Sequence, residues 1–271
     1  MIIDAHTHTY PETIAKRAIE KLEKNSGTKA HTNGVQSGLM ASMKEAGISY
    51  SLLLPVATSK KQVDTINEVA AETNAKALET GLLSFGGIHP ETEVLNRIKA
   101  LGLKGIKIHP DYQGTFFNDI RYKRIVEKAT ELGLYITVHA GVDIGMPDPV
   151  HCTPNHVLEV LKDTESDHLI LAHMGGWRLW NEVKEKLMEK PLYFDTSFSG
   201  DYLQKEGVSG MLTKEAFVDL IHAMGSDRVL FGTDSPWSGQ KDAVQWFMET
   251  DLTETEKKKI LSDNFIRIIG I

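Results

Sequence analysis

Cysteine is almost missing from this chain: there is one, Cys152, in 271 residues. No intrachain disulfide can form, and nothing asks for an oxidising compartment. No apolar run approaches the ~20 residues of a membrane span. Asp4 and His6 fall where a secretory signal would carry its apolar core. The expectation is a soluble, cytoplasmic protein. A basic block is also lacking. Lys+Arg total 30 against Asp+Glu 37, a net charge of −7, which argues against nucleic acid and against an anionic membrane surface as partners. No Gly-x-Gly-x-x-Gly follows any apolar run and there is no Walker-type loop, so an open nucleotide-binding sheet lacks its signature. No linker or low-complexity run divides the chain, and one domain spanning 1–271 is expected.

What is present is alternation. Apolar, β-rich runs at 2–8, 50–56, 82–89, 104–109, 134–139, 168–173, 191–196 and 228–234 are separated by helical stretches. Ser59-Lys60-Lys61-Gln62 reads as a capping box opening a helix to about Leu78, with Gly81 just after its end. Tyr122, Ile125, Val126, Ala129 and Leu132 repeat at helical spacing up to Gly133. Thr153-Pro154 starts a helix over 154–162, Thr213 another to Met224, and Thr253 with Glu256 a last one. Eight strands alternating with helices mean parallel strands. At this length they predict an α/β fold of the (β/α)₈ TIM-barrel form. The polar stretch 25–38, inside the first β–α unit, is long enough to act as a lid.

The eleven histidines are not scattered. His6 and His8 end the first run, separated by one residue. Side chains alternate along a strand, so both point to one side, with Asp4 below them. The same alternation sets Lys107 and His109 against Ile106 and Ile108. It sets His139 against Ile136 and Val138, His173 against Ile170 and Ala172, and Asp234 against Val229 and Phe231. His89 ends the third run. In a barrel these strand ends meet at one mouth, where catalytic groups gather. A single strand-end histidine is ordinarily a hydrogen-bonded structural residue; six strands ending in titratable groups point instead to a metal or catalytic centre.

The runs Ile3-Asp4-Ala5-His6-Thr7-His8, Gly105-Ile106-Lys107-Ile108-His109-Pro110, Val138-His139-Ala140-Gly141, Leu171-Ala172-His173-Met174-Gly175-Gly176 and Leu230-Phe231-Gly232-Thr233-Asp234-Ser235-Pro236 resemble, in order, the motifs of the amidohydrolase superfamily. The branch most similar is the family-2 group of metal-dependent TIM-barrel hydrolases and decarboxylases. The resemblance implies that His6, His8, His139 and Asp234 bind the metal and that His173 either supports the transition state from outside that set or ligates a second metal. It implies that Asp234 and His173 are catalytic, Asp234 moving the proton of a metal-activated water. Three imidazoles and a carboxylate suit Zn²⁺, and Mn²⁺, Fe²⁺ or Ni²⁺ fit the same donors. One ion is expected rather than two. A second ion would require Lys107 to be carboxylated, and a contact to a substrate anion is the simpler role for that lysine.

The leading expectation is a hydrolase of a small-molecule amide, lactone or ester. The alternative is a non-oxidative decarboxylase of a small aromatic or unsaturated acid, for which Lys107 and Arg178 are candidate carboxylate contacts. A barrel that binds metal without catalysis is disfavoured by the presence of Asp234. Trp177, Arg178 and Trp180 either wall the substrate or pack at a helix start. Tyr112, Phe116, Phe117 and Trp237 are read as packing residues beside the pocket. Cys152 beside His151 lacks a third group for nucleophilic catalysis. His31, His156, His168 and His222 are read as surface residues. A homo-oligomer is compatible with the sequence.

Overall fold

In the computed structural model, which describes residues 1–271, the opening run forms β1, Ile3–Thr7, buried along its whole length. There follow β2 (Tyr50–Leu53), β3 (Leu82–Ser84), β4 (Gly86–Gly87), β5 (Gly105–Ile108), β6 (Tyr135–Val138), β7 (Leu169–Leu171), β8 (Tyr193–Asp195) and β9 (Val229–Leu230). Every ladder is parallel. The order is β1-β2-β3 in one set and β4-β5-β6-β7-β8-β9 in the other.

The expected third strand, 82–89, is therefore two pieces, β3 and β4, interrupted at Phe85. Asn67 takes over from a neighbouring strand there: its amide donates to Gly87 O at 3.1 Å and accepts from Gly87 N at 3.0 Å. A Cβ on Gly86 would stand 2.5 Å from Asn67 Oδ1, which is why that position carries no side chain. The eighth strand is likewise shorter than 228–234. Beyond β9 the chain is joined to β1 by single hydrogen bonds, Ala5 N to Phe231 O (2.8 Å), Asp234 N to His6 O (2.8 Å) and His8 N to Ser235 O (2.6 Å). The ring is α/β, as expected, with regular ladders giving way to individual bonds at these two places.

Helices form where caps and periodicity place them: 120–131, 154–164, 214–224 and 254–258. The helix after Ser59 runs 63–75, is broken at Lys76 and resumes over 77–80 before Gly81. Helices at 12–26 and 36–46 flank the polar stretch, which shrinks from 25–38 to 27–35. His31 N in that loop donates to Pro236 O at 2.8 Å, and His31 Nε2 meets Glu206 Oε2 at 2.9 Å.

Ile106, Ile108, Ile136, Val138 and Phe231 pack outward into the large core, with helix residues such as Tyr122, Ile125 and Phe247. A smaller cluster takes Ile3, Ala5, Leu52, Leu54, Phe85, Ile170 and Leu230, with Phe265 and Ile269 of the C-terminal segment. Here β7 departs from expectation. Leu169 and Leu171 pack outward and Ile170 inward. Simple alternation would then send His173 outward too. The chain instead turns through the left-handed region, φ +59° at His173 and +55° at Met174, and this re-aims the imidazole.

Candidate functional site

At the mouth, the first three groups to consider are His6, His8 and Asp234, whose ligating atoms all lie within 4.8 Å of one another. Their surroundings settle the tautomers. His6 Nδ1–H donates to Asp195 Oδ2 at 2.8 Å, and His8 Nδ1–H donates to Leu54 O at 2.9 Å. Each ring is left with a lone pair on Nε2. The two Nε2 atoms are 3.2 Å apart, and Asp234 Oδ1 is 3.1 Å from that of His8 and 3.5 Å from that of His6. Three electron-pair donors thus face one another with no proton between them. That is a place for a cation, and nitrogen with carboxylate is the donor chemistry of a divalent transition metal.

The one positive group beside them is Lys107. Its Nζ is 3.3 Å from His6 Nε2, and the residue is 1 % exposed. Burial pushes its pKa down to about 8, against the pull of Asp195 and Asp234. Burial and the Lys107 charge push His6 down to about 3, so it stays neutral and able to ligate. Burial alone would raise Asp234, but the imidazoles around it, His8, His6 and His173, outweigh it, and the carboxyl is held at about 2.

Asp195, at the end of β8, organises the site, and the sequence reading passed over it. Besides His6 it accepts from His173 N (3.1 Å) and Ser197 N (3.0 Å), and from the Ser197 hydroxyl. His173 Nδ1–H donates to Ser197 O (3.1 Å) and Oγ (2.9 Å), and Trp180 Nε1 donates to His173 O at 3.0 Å. The strained φ of His173 and of Asp234 (+69°) is held by such contacts, as strain at functional positions commonly is. Asp4 does not lie below the histidines as alternation suggests. The register shifts between Asp4 and Thr7. Its carboxylate takes Thr233 N (3.0 Å), Thr233 Oγ1 (2.5 Å) and Gln240 Nε2 (2.8 Å), clamping β1 to the chain beyond β9.

His139 is placed apart from the first three. Its Nδ1 meets His173 Nε2 at 3.0 Å, and its ring stacks on His109 with centroids 4.1 Å apart. Its ligating atoms group with His109 and Asp143. A glycine permits the approach of the two loops here: a Cβ on Gly141 would stand 2.1 Å from Trp177 N. Asp111 and Asp143, which the sequence reading did not single out, lie in the loops after β5 and β6.

The remaining candidates resolve differently. Arg178 is exposed, lies over the Trp177 ring and donates to Ser209 O at 2.8 Å; it is not at the histidine cluster. Trp177 is buried among Phe198, Leu203, Val208 and Met211, with Trp237 packed against the same group. Phe117 is core and Phe116 is exposed. Tyr112 stacks flat on His109, centroids 4.0 Å apart. His89 contacts only its own loop, accepting from Glu91 N at 3.3 Å. Cys152 is fully buried, its thiol pushed far up by burial, and His151 pairs with Asp111 instead.

The sequence model of the amidohydrolase family matches residues 3–271. The chain belongs to the amidohydrolase family. A gamma-resorcylate decarboxylase of Polaromonas sp. is 32% identical over 103 residues, 34% of this chain and 31% of that protein; the match spans only about a third of the relative. Among solved structures, a TIM-barrel protein of Bordetella bronchiseptica superposes with a TM-score of 0.76 at 19% identity, over 99% of this chain and 98% of the other. A dihydroxybenzoic acid decarboxylase of Polaromonas sp., with bound manganese and the inhibitor 2-nitroresorcinol, superposes at TM-score 0.68 and 17% identity, over 99% and 96%. These likenesses show the TIM-barrel fold. They correct the leading expectation of a hydrolase: the curated relative is a decarboxylase, matching the alternative reading. No helix is long and apolar enough to cross a membrane.

Proposed function

We propose that this protein is a metal-dependent, non-oxidative decarboxylase of a small hydroxylated aromatic acid. The observation that carries the reading is the pairing of a proton-free donor group, His6–His8–Asp234, with a buried ammonium, Lys107, 3.3 Å from His6 Nε2. An anionic substrate needs positive charge in a dry site. Arg178 does not supply it, since it is exposed and bonded to Ser209, and Lys107 does. Decarboxylase activity in a relative of known name supports the same choice.

His6, His8 and Asp234 would hold one divalent cation. His139, implied as a fourth ligand by the family resemblance, reaches them through His173 in this structure, so the proposal rests on three. Zinc suits the donors, and the manganese of a structural relative makes Mn²⁺ the first ion to supply. When bound, the ion supplies Lewis-acid polarisation of a substrate oxygen.

The chain's own groups do the rest. Lys107 holds the carboxylate by charge. Asp234, ionised at rest, would relay a proton taken up from solvent to the ring carbon as that carbon's bond to the carboxylate carbon breaks and CO₂ leaves; one proton taken up and one CO₂ released balance, and no oxidant is needed. His173, fixed by Ser197, Asp195 and Trp180, orients the groups around it. Tyr112, one face of which is stacked on His109, offers its other face as a surface on which a ring can lie. The test is to load the protein with Mn²⁺ and offer hydroxybenzoic acids, 2,6-dihydroxybenzoate included, beside lactones and amides. Release of CO₂ from an acid is expected. Turnover confined to lactones or amides would sink the proposal.

A further inference from the structure

The helix over 12–26 starts on one side of the mouth and ends on the other. Counting β3 and β4 as one, β6 is the fifth of eight strands and stands across the ring from β1. The helix begins just past Tyr10, on the β1 side. Its end reaches the loop after β6: a Cβ on Gly145 would stand 3.7 Å from Asn25 Cβ. It therefore crosses the mouth. The chain then returns through the loop 27–35 to the other rim. There His31 N donates to Pro236 O (2.8 Å), His31 Nε2–H donates to Glu206 Oε2 (2.9 Å) and Gly34 O accepts from Tyr10 N (2.7 Å). Helix and loop together make a roof that rests on the chain beyond β1, β6, β8 and β9.

This roof is fastened to the rim and to itself, not to the core. Ala15, Ala18, Ile19 and Leu22 form one face of the helix, and none of them belongs to an apolar core cluster. A Cβ on Gly34 would stand 2.9 Å from Ile19 Cδ1 and 3.3 Å from Tyr10 Cδ2, so helix and loop pack on each other beside the Tyr10 ring. Glu23 Oε1 accepts from Ala30 N at 3.0 Å and ties the loop back to the helix. A unit of this kind, with few apolar contacts to the core, opens at low cost. Beneath it the site is nearly shut. The side chains of His8 and Asp234 keep 14 % and 13 % of their surface exposed, too little for an aromatic acid to reach them unless the roof moves.

We propose that residues 12–35 open as a unit to admit what binds beneath them, and that His31 is the latch that holds them closed, with Glu206 as its catch. Glu206 Oε1 is buried with no partner, so His31 is the one side chain that satisfies this carboxylate, and closure is favoured for both. His31 is also a positioning residue. The Pro236 carbonyl that it holds lies two residues beyond Asp234, and Ser235 O, between them, accepts from His8 N at 2.6 Å. Closing the latch braces the segment that carries Asp234 and ties it to His8. A closed roof also keeps bulk water from Lys107, whose charge acts on an anion most strongly in a dry site. That the molecule admitted is a hydroxylated aromatic acid rests on the decarboxylase reading; the opening of the roof does not.

The test locks the roof and then loosens it. The 3.7 Å between the Cβ positions of residues 25 and 145 is a disulfide separation, so the double variant Asn25→Cys, Gly145→Cys should form that bond on oxidation, as read by mass spectrometry. In the Mn²⁺-loaded protein, extraction of the ion by EDTA should be about tenfold slower, or more, in the oxidised form than in the reduced one. Dithiothreitol should restore the parental rate. Turnover of 2,6-dihydroxybenzoate should fall and recover in step. The loosening arm needs no metal and no substrate. In His31→Ala, amide hydrogen exchange over 27–35 should quicken by about tenfold, the weight of one charge-assisted hydrogen bond, while exchange in β5 and β6 stays parental. His31→Gln, which keeps a donor for Glu206, should lie between. Equal EDTA rates in the oxidised and reduced forms overturn the proposal, as does parental exchange over 27–35 in His31→Ala. Slowed extraction in a protein that turns over no aromatic acid would sink the decarboxylase reading and leave the roof standing.

Discussion

The two histidine–carboxylate groups at the mouth are built on opposite plans. In the His6–His8–Asp234 group, the second nitrogen of each ring is tied to a neighbour, Asp195 or Leu54 O, and the free lone pairs meet beside an ammonium. In the His109–Asp111–His139–Asp143 group the carboxylates come from loops, and no positive side chain lies within ion-pair distance of Asp111 or Asp143 other than imidazoles. The first group has Lys107 to attract an anion. The second, without a cation of its own, would repel one. The difference teaches that an anion would find its positive partner on the β1 side, and that the β5–β6 side meets it with carboxylates and stacked rings as a wall.

The sharpest way to break this division is Asp234→Asn. The change keeps the shape and one oxygen donor but removes the charge and the capacity to carry a proton. A substantial share of bound metal should remain, with turnover of whichever acid the substrate panel yields falling by roughly two orders of magnitude or more. Metal content and turnover measured on one preparation decide it. Near-parental turnover with metal bound would move the proton-carrying role to another group, His173 first.

Asp195→Asn sharpens the same division at lower amplitude. Asp195 fixes His6 through Nδ1 and His173 through its backbone, and touches nothing in the second group. Metal affinity at His6–His8–Asp234 should weaken by about 10–100-fold, the usual scale for a lost partner of a ligating histidine. Competition titration with a chelating dye reads it. Unchanged affinity would show that the tautomer of His6 is set by some other contact.

Asp4→Ala probes the seam rather than the chemistry. The carboxylate satisfies Thr233 and Gln240 across the join of β1 to the chain beyond β9. Leaving those donors buried and unpaired should cost ~1–3 kcal/mol in denaturant unfolding; an unchanged unfolding free energy would show that the seam is held by other contacts.

What the sequence disclosed follows the same line. His6, His8, His139, His173 and Asp234 stand at the ends of apolar runs, and barrel topology brings those strand ends to one mouth. Asp195 stood in the same position, at the end of 191–196, and the rule applied to its neighbours would have found it. Asp111 and Asp143 could not be found that way, because loops carry no period. The division of His139 from His6 and His8 was equally hidden, since it depends on the direction of a ring and not on its place in the chain. The inward turn of His173 rests on two left-handed residues that no propensity marks for histidine or methionine. The hydrolase expectation failed for a related reason: the strand-end motifs mark the family and say little about the substrate.

The smallest effect calibrates the others, because it lies outside both groups. Asp119 caps the helix over 120–131: its Oδ1 accepts from Arg121 N at 2.9 Å, and its carboxylate also takes the Arg121 guanidinium at 2.8 and 2.9 Å. The Arg121 hydrogen bonds outweigh the effect of partial burial and hold the carboxyl at about 2. A folded pKa below the unfolded value of ~3.9 means that the cap stabilises fully above that value. The contribution is then lost as pH falls through about 2. Asp119→Ala should therefore cost ~1 kcal/mol at pH 7, and the gap between variant and parent should narrow as the pH is lowered from about 4 towards 2. Urea unfolding at pH 7, 4 and 3 measures it. A gap that stays constant across that range would mean that the cap acts without its charge, and acid-dependent losses seen in the variants at the mouth could then be compared with the parent with no allowance for this helix.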